Sequence, residues 1–253
     1  MAILPDLGVN LLADSIWLGV GAGVPLAARA IQHRIRRSRA LRFWNPTCLD
    51  DVYIVFGDRP QLRNADPDQD GAFVQEHDAY AVADLRLVLS RVYKHVEIIT
   101  DDIAIAKENV AIVSIGGPIA NKFSHKLFRE ISPPWQFEVN QGQANAPRAI
   151  AHCGNTRDKR YVTKRAPEGA IQEDFGILVR CMRNGAAGTK MVPAFILAGN
   201  YGIGTWGTAS YFANRRNVPS VELDKPLLQW VTEVSPNGGM KPTTRLCVVP
   251  PLT

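Results

Sequence analysis

The sequence predicts an α/β fold, a mostly parallel sheet flanked by helices. Three observations predict it: short apolar runs recur along the chain, each ends in a glycine-containing turn, and helical periodicity fills the stretches between them. The runs are Val52–Phe56, Val110–Ile115 and Val192–Ala198. Apolar runs of this length that stop at glycine read as strands buried on both faces.

The first element in chain order is an N-terminal hydrophobic helix. Between Asp6 and Arg29, 22 residues carry a single charge, Asp14, and about 20 apolar residues suffice to cross a bilayer. Trp17 suits an interface, and Gly19 with Gly23 suits close helix packing. Arg29, Arg34, Arg36, Arg37, Arg39 and Arg42 follow. Positive charge after the apolar stretch is the reverse of a secretory signal. It predicts a membrane anchor with the remaining chain in the cytoplasm. Arg34, Arg36, Arg37 and Arg39 are then candidates for anionic lipid, each worth about 1 kcal/mol near the surface. Asp14, Pro25 and the glycines weaken a spanning helix, so a surface helix or an oligomerisation helix is the alternative. The arginine run also suits nucleic acid or a plain exposed face. The net charge is +5, and outside this run the chain is close to neutral, so general attraction to nucleic acid is not implied.

These features divide the chain into residues 1–44, anchor plus arginine collar, and an α/β domain over 45–253. Asn45-Pro46 punctuates the boundary. Val52–Phe56 is the first strand and Asn64–Gly71 a polar loop. Glu76–Val92 is a helix by periodicity, His95–Thr100 a second strand ended by Asp101-Asp102, Val110–Ile115 a third, and 119–130 a second helix. This β-α-β-β-α order is Rossmann-like. An irregular, β-rich insertion follows at about 131–170, where apolar runs shorten and Pro, Asn, Gln and Arg accumulate. Phe175–Met182 and Val192–Ala198 are strands joined by the Arg183–Lys190 turn. Thr205–Asn214 reads as a helix, Leu227–Val234 as a short helix or an edge strand, and Arg245–Val249 as a last strand.

In open α/β sheets, ligands bind beyond the carboxyl ends of the strands, so the glycine turns mark the candidate site. At Gly116-Gly117-Pro118-Ile119-Ala120-Asn121, glycines allow close backbone approach, Pro118 suits a first helical turn, and the helix N-terminus attracts an anion. Asn121 would orient a hydroxyl or carbonyl; a simple tight turn is the alternative. Gly199-Asn200-Tyr201-Gly202-Ile203-Gly204-Thr205 repeats the pattern as an amide-lined cradle with Thr205 as N-cap and Tyr201 or Trp206 for stacking; packing alone is its alternative. Asp58 and Arg59, after the first strand, suit a ribose hydroxyl or cation and a phosphate. The candidate ligand residues are therefore Asp58, Arg59, Gly116, Gly117, Asn121, Asn200, Gly202, Gly204 and Thr205.

Reaction chemistry is not visible. No Lys follows the last glycine as in a Walker loop, and no G-x-S-x-G elbow is present. Glu173 and Asp174 read as a solvated turn. Cys48, Cys153, Cys181 and Cys247 are scattered without zinc spacing, and no metal is expected. No catalytic residue is assigned.

The GGP-x-x-N turn (Gly116, Gly117, Pro118, Asn121) together with Ala-Gly-x-x-Gly-x-Gly-Thr (Ala198 to Thr205) resembles a group of poorly characterised prokaryotic Rossmann-like domains that bind ligand rather than turn it over. The resemblance covers roughly residues 50–215. It implies a sensor or binding domain. Taken with the N-terminal apolar helix and the three glycine turns, the expectation is a membrane-tethered cytoplasmic sensor binding a small anionic or nucleotide-like ligand. An enzyme acting on a nucleotide or glycosidic bond, with Asp58 or Asp78 as base or nucleophile, and a membrane-bound scaffold are the alternatives.

Overall fold

The computed structural model describes residues 34, 38–58, 75–105, 107–138, 148–152, 159–185, 190–214, 216–218, 225–238 and 240–248. The apolar N-terminal segment, Arg36, Arg37, Arg59, Cys153 and the Asn64–Gly71 loop lie outside these residues. Among the described residues, no helix is long and apolar enough to cross a membrane.

The chain builds an α/β structure around one mixed sheet. Its strands are β1 (Asp51–Phe56), β2 (His95–Thr100), β3 (Ala111–Ile115), β8 (Ile171–Asn184), β9 (Met191–Gly199), β10 (Leu227–Asn237) and β11 (Met240–Val248), in the order β11-β10-β8-β9-β3-β1-β2. The two-residue β7 (Lys164–Arg165) pairs with β8 off this path. Strands β2, β1, β3 and β9 run parallel. Strands β9, β8, β10 and β11 pair antiparallel. Part of the expected insertion forms a separate antiparallel sheet of β4 (Trp135–Glu138), β5 (Ala149–His152) and β6 (Arg160–Val162).

Both faces of the central strands β1, β3, β9 and β8 are buried, which is why these strands read as continuous apolar runs. Side chains alternate between two cores. Ile54, Val113, Phe195, Leu197, Leu178 and Trp230 point to one, Val55, Ile112, Ile196, Ile177, Val179 and Val231 to the other. On the first face lie a helix over residues 38–44 (α1), α2 (Glu76–Leu89) and α5 (Gly202–Ala213). The short α3 (Asp101–Ala104), α4 (Lys122–Ile131) and the small sheet supply the second core.

Helix α1 brings the end of the arginine collar into the body. Ala40, Phe43 and Trp44 are buried while Arg39 and Arg42 are exposed. Phe43 stacks at 6.0 Å on Phe212 of α5, and Trp44 meets Phe195 of β9 at 4.8 Å. The packed body therefore starts ahead of the Asn45-Pro46 boundary.

Two elements depart from the sequence expectation. Leu227–Val234 is neither a helix nor an edge strand but part of β10, held between β8 and β11. Its polar members are absorbed by distant partners: Gln229 exchanges two hydrogen bonds with the Trp135 backbone, and Thr232 meets Thr208 of α5. Pro236 lies beyond the β8 pairing, at an irregularity opposite β11, where no ladder N–H is lost. Helix α4 begins at Lys122, so Pro118 belongs to the turn before it rather than to its first turn.

Candidate functional site

The chain passes from β1 to β2 on one side, then returns across β1 to β3 and on to β9. The strand order thus reverses between β1 and β3, where open α/β sheets leave a crevice beyond their carboxyl ends. A cleft of about 620 Å³ opens there. Asp58 after β1, Asp101 after β2, the 118–122 segment after β3, and Tyr201 and Gly202 after β9 all line it. Gln75, His125 and Arg148 complete the wall.

The floor is built by backbone contact. A Cβ on Gly57 would stand 1.7 Å from the Ala120 carbonyl oxygen, so the end of β1 lies directly on the turn after β3. Gly116 has φ +94°, a left-handed conformation that favours glycine. The amides of Ala120 and Asn121 both donate to the Gly117 carbonyl, closing the turn.

Asn121 lines the cleft but its side chain serves the scaffold. Its Oδ1 accepts from the Ser124 amide at 3.0 Å and caps α4, and its Nδ2 donates to the Ile115 carbonyl at 3.0 Å. A contact with the Val55 carbonyl at 3.4 Å ties in β1. The expectation that Asn121 orients a ligand group gives way to a clamp between two strand ends. Asp101, expected only to end the second strand, is a second clamp. It is buried and accepts from the Lys122 amide at 2.7 Å and the Asp58 amide at 3.4 Å. Lys122 Nζ pairs with Asp102 at 2.8 Å, which holds its ammonium above its ordinary range.

The second glycine motif does not form an open cradle. The N-cap of α5 is Tyr201, not Thr205, which lies inside the helix and accepts from the Gly199 amide at 2.9 Å. The amides of Tyr201 and Gly204 donate to Asp174 Oδ2 at 3.1 and 2.8 Å, and Thr163 donates to its Oδ1 at 2.7 Å. The helix N-terminus that would attract an anion is thus occupied by the protein's own carboxylate. Asp174 is fully buried in β8 rather than on a solvated turn, and burial pushes its carboxyl up to about 6 against the lowering effect of these donors.

The motif's glycines serve close packing. A Cβ on Gly204 would sit 2.5 Å from Asp174 Oδ2, one on Gly199 2.4 Å from the Thr205 nitrogen, and one on Gly202 3.0 Å from the His77 Cβ of α2. Trp206 packs on Tyr80 of α2 at 4.7 Å and donates to Asp84 at 3.3 Å, so it joins two helices. Tyr201 is a cation platform rather than an open stacking surface. The Arg148 and Arg165 guanidinium carbons lie 4.7 and 4.5 Å from its ring centroid.

Of the candidate residues, Asp58, Asn121 and Gly202 line the cleft. Gly116 and Gly117 shape its floor; a Cβ on Gly117 would meet the Phe137 ring at 3.5 Å and Ala198 at 3.7 Å. Asn200 is buried and contributes its carbonyl, which accepts from Arg148 Nη1 at 3.1 Å, while its Nδ2 donates to Tyr161 of β6. Gly204 and Thr205 turn inward. Sequence reasoning missed Asp101, Lys122, Arg148 and Gln75. Only the position of Asp101 directly after a strand was a usable signal.

Among the described residues, no group of three or more His, Cys, Asp or Glu side chains is arranged to hold a metal ion. Cys181 is buried, its thiol pushed up to about 12 by desolvation. No protein-family model matches this chain, and comparison with curated proteins and with solved structures gives no match either.

Proposed function

We propose that this chain is a Rossmann-like sensor domain that binds a small anionic, nucleotide-like ligand in the cleft between β1 and β3. The apolar segment before Arg29 tethers it to a membrane, with the domain in the cytoplasm. The observation that carries the ligand reading is Arg148. Its guanidinium is held at the cleft wall by Tyr201 and the Asn200 carbonyl, and no carboxylate among the described residues pairs with it. A fixed guanidinium beside a concave site suits bidentate recognition of phosphate or carboxylate. The cleft volume falls within the roughly 300–1,000 Å³ of small-molecule sites, and Asp58 offers a carboxylate for sugar hydroxyls at the opposite strand end. The tether rests on the sequence, on the apolar run followed by arginines.

A thermal-shift screen of the full chain against nucleotides, cyclic nucleotides, sugar phosphates and NAD tests the reading. A ligand at 100 times its Kd adds about 2.7 kcal/mol of stability, a rise of several degrees for a domain of this size. The shift is expected to disappear in Arg148→Ala. A shift that survives that substitution would place the ligand elsewhere. No shift with any compound would favour a scaffold. Turnover of a hit, lost in Asp58→Asn, would make the protein an enzyme.

A further inference from the structure

We infer that the ligand of this cleft carries a diphosphate, met by Arg148 and Arg165 together, an inference that rests on the cleft being an anion site. Two guanidinium groups share one aromatic ring at 4.7 and 4.5 Å. Each is pinned by one nitrogen to a backbone carbonyl, Arg148 to Asn200 at 3.1 Å and Arg165 to Gly169 at 2.7 Å. The remaining donors of each fork are left for an anion. Cation–π contact with Tyr201 orients both charges but does not neutralise them.

Nearby acids are otherwise engaged. Glu173 pairs with Lys164 at 2.7 Å, and Asp174 faces inward onto Thr163 and the amides of Tyr201 and Gly204. Glu168 is exposed in the turn after Arg165 and forms no ion pair with either arginine. Two like charges on one ring repel, and among the described residues no carboxylate offsets them. A ligand with one anionic group for each guanidinium does. Arg148 lines the cleft, whereas Arg165 is exposed outside its lining. A single phosphoryl group in the cleft meets only Arg148. A second phosphoryl, joined through one bridging oxygen, is the group assigned to Arg165, which shares the Tyr201 ring with Arg148. Preorganisation of both forks lowers the ordering cost of binding.

Calorimetric titration of the full chain with AMP and ADP tests this, and orthophosphate and pyrophosphate repeat the comparison without a base. ADP is expected to bind at least about tenfold tighter than AMP, the scale of one charge-assisted contact. Arg165→Ala is expected to reduce ADP to the AMP level and leave AMP unchanged, while Arg148→Ala weakens both. Arg165 is exposed, so its removal spares the core. Equal binding of mono- and diphosphates by the wild type, or an ADP advantage that survives Arg165→Ala, overturns the diphosphate inference and leaves the anion site standing. No binding by any of the four probes overturns both.

Discussion

Replacing Asp174 with Asn is expected to stabilise this protein at neutral pH, although the carboxylate accepts three hydrogen bonds. Burial raises the folded-state value from 3.8 to about 6. Between those values the folded state binds a proton that the unfolded state has released. The contribution of Asp174 is therefore most favourable below about pH 4, falls as pH rises through 6, and is flat above that. A shift of roughly 2 units corresponds to about 3 kcal/mol. The value of about 6 already includes the opposing pull of the Tyr201 and Gly204 amides at the α5 N-terminus, so about 3 kcal/mol is the upper bound and a gap of about 1–3 kcal/mol is expected. Asn keeps an acceptor for the Tyr201 and Gly204 amides and presents N–H groups to the Thr163 oxygen, which resembles the protonated acid. Urea unfolding of both proteins at pH 4, 5, 6 and 7 measures the difference, in which the other titrating groups cancel. Near-equal stability at pH 4, with the variant gaining about 1–3 kcal/mol by pH 7, is the predicted result. A variant less stable at pH 7 by 1 kcal/mol or more, with no pH trend, would refute the reasoning.

Four further substitutions probe the scaffold, each read by chemical denaturation. Gly116→Ala should cost about 1–2 kcal/mol because φ is +94° there. Gly117→Ala should be neutral or gain up to ~1 kcal/mol, since its Cβ finds only ordinary contacts, while reducing ligand affinity if the backbone of this turn is approached. Gly176→Ala should cost about 1–3 kcal/mol by overpacking, because its Cβ would stand 1.9 Å from Thr208 Oγ1 and 2.5 Å from the Gly204 carbonyl. Asn121→Ala should cost about 2 kcal/mol through the lost α4 cap and the unpaired Ile115 carbonyl.

The strands were legible because a sheet buried on both faces writes itself as apolar runs. Ile54 and Val55, or Leu197 and Ala198, face opposite cores and are both apolar. Strand β10 was less legible because Gln229 and Thr232 are buried against Trp135 and Thr208, partners that local periodicity cannot reveal. The glycine motifs signalled close approach, but sequence does not say what approaches. For Gly204 it is Asp174, for Gly202 it is His77, and for Gly57 it is the Ala120 carbonyl. Asp174 itself was misread because its partners lie across the fold, at Thr163, Tyr201 and Gly204. Arg148 and Arg165 were invisible for the same reason: their shared position on Tyr201 exists only after β5, β7 and α5 converge.

The most direct test of the ligand site is a crystal structure of the chain with the compound that most raises its melting temperature. The account predicts electron density between the ends of β1 and β3, with an anionic group against the Arg148 guanidinium and a hydroxyl or base towards Asp58. Density for the compound elsewhere on the protein, with this cleft holding only solvent, would contradict it.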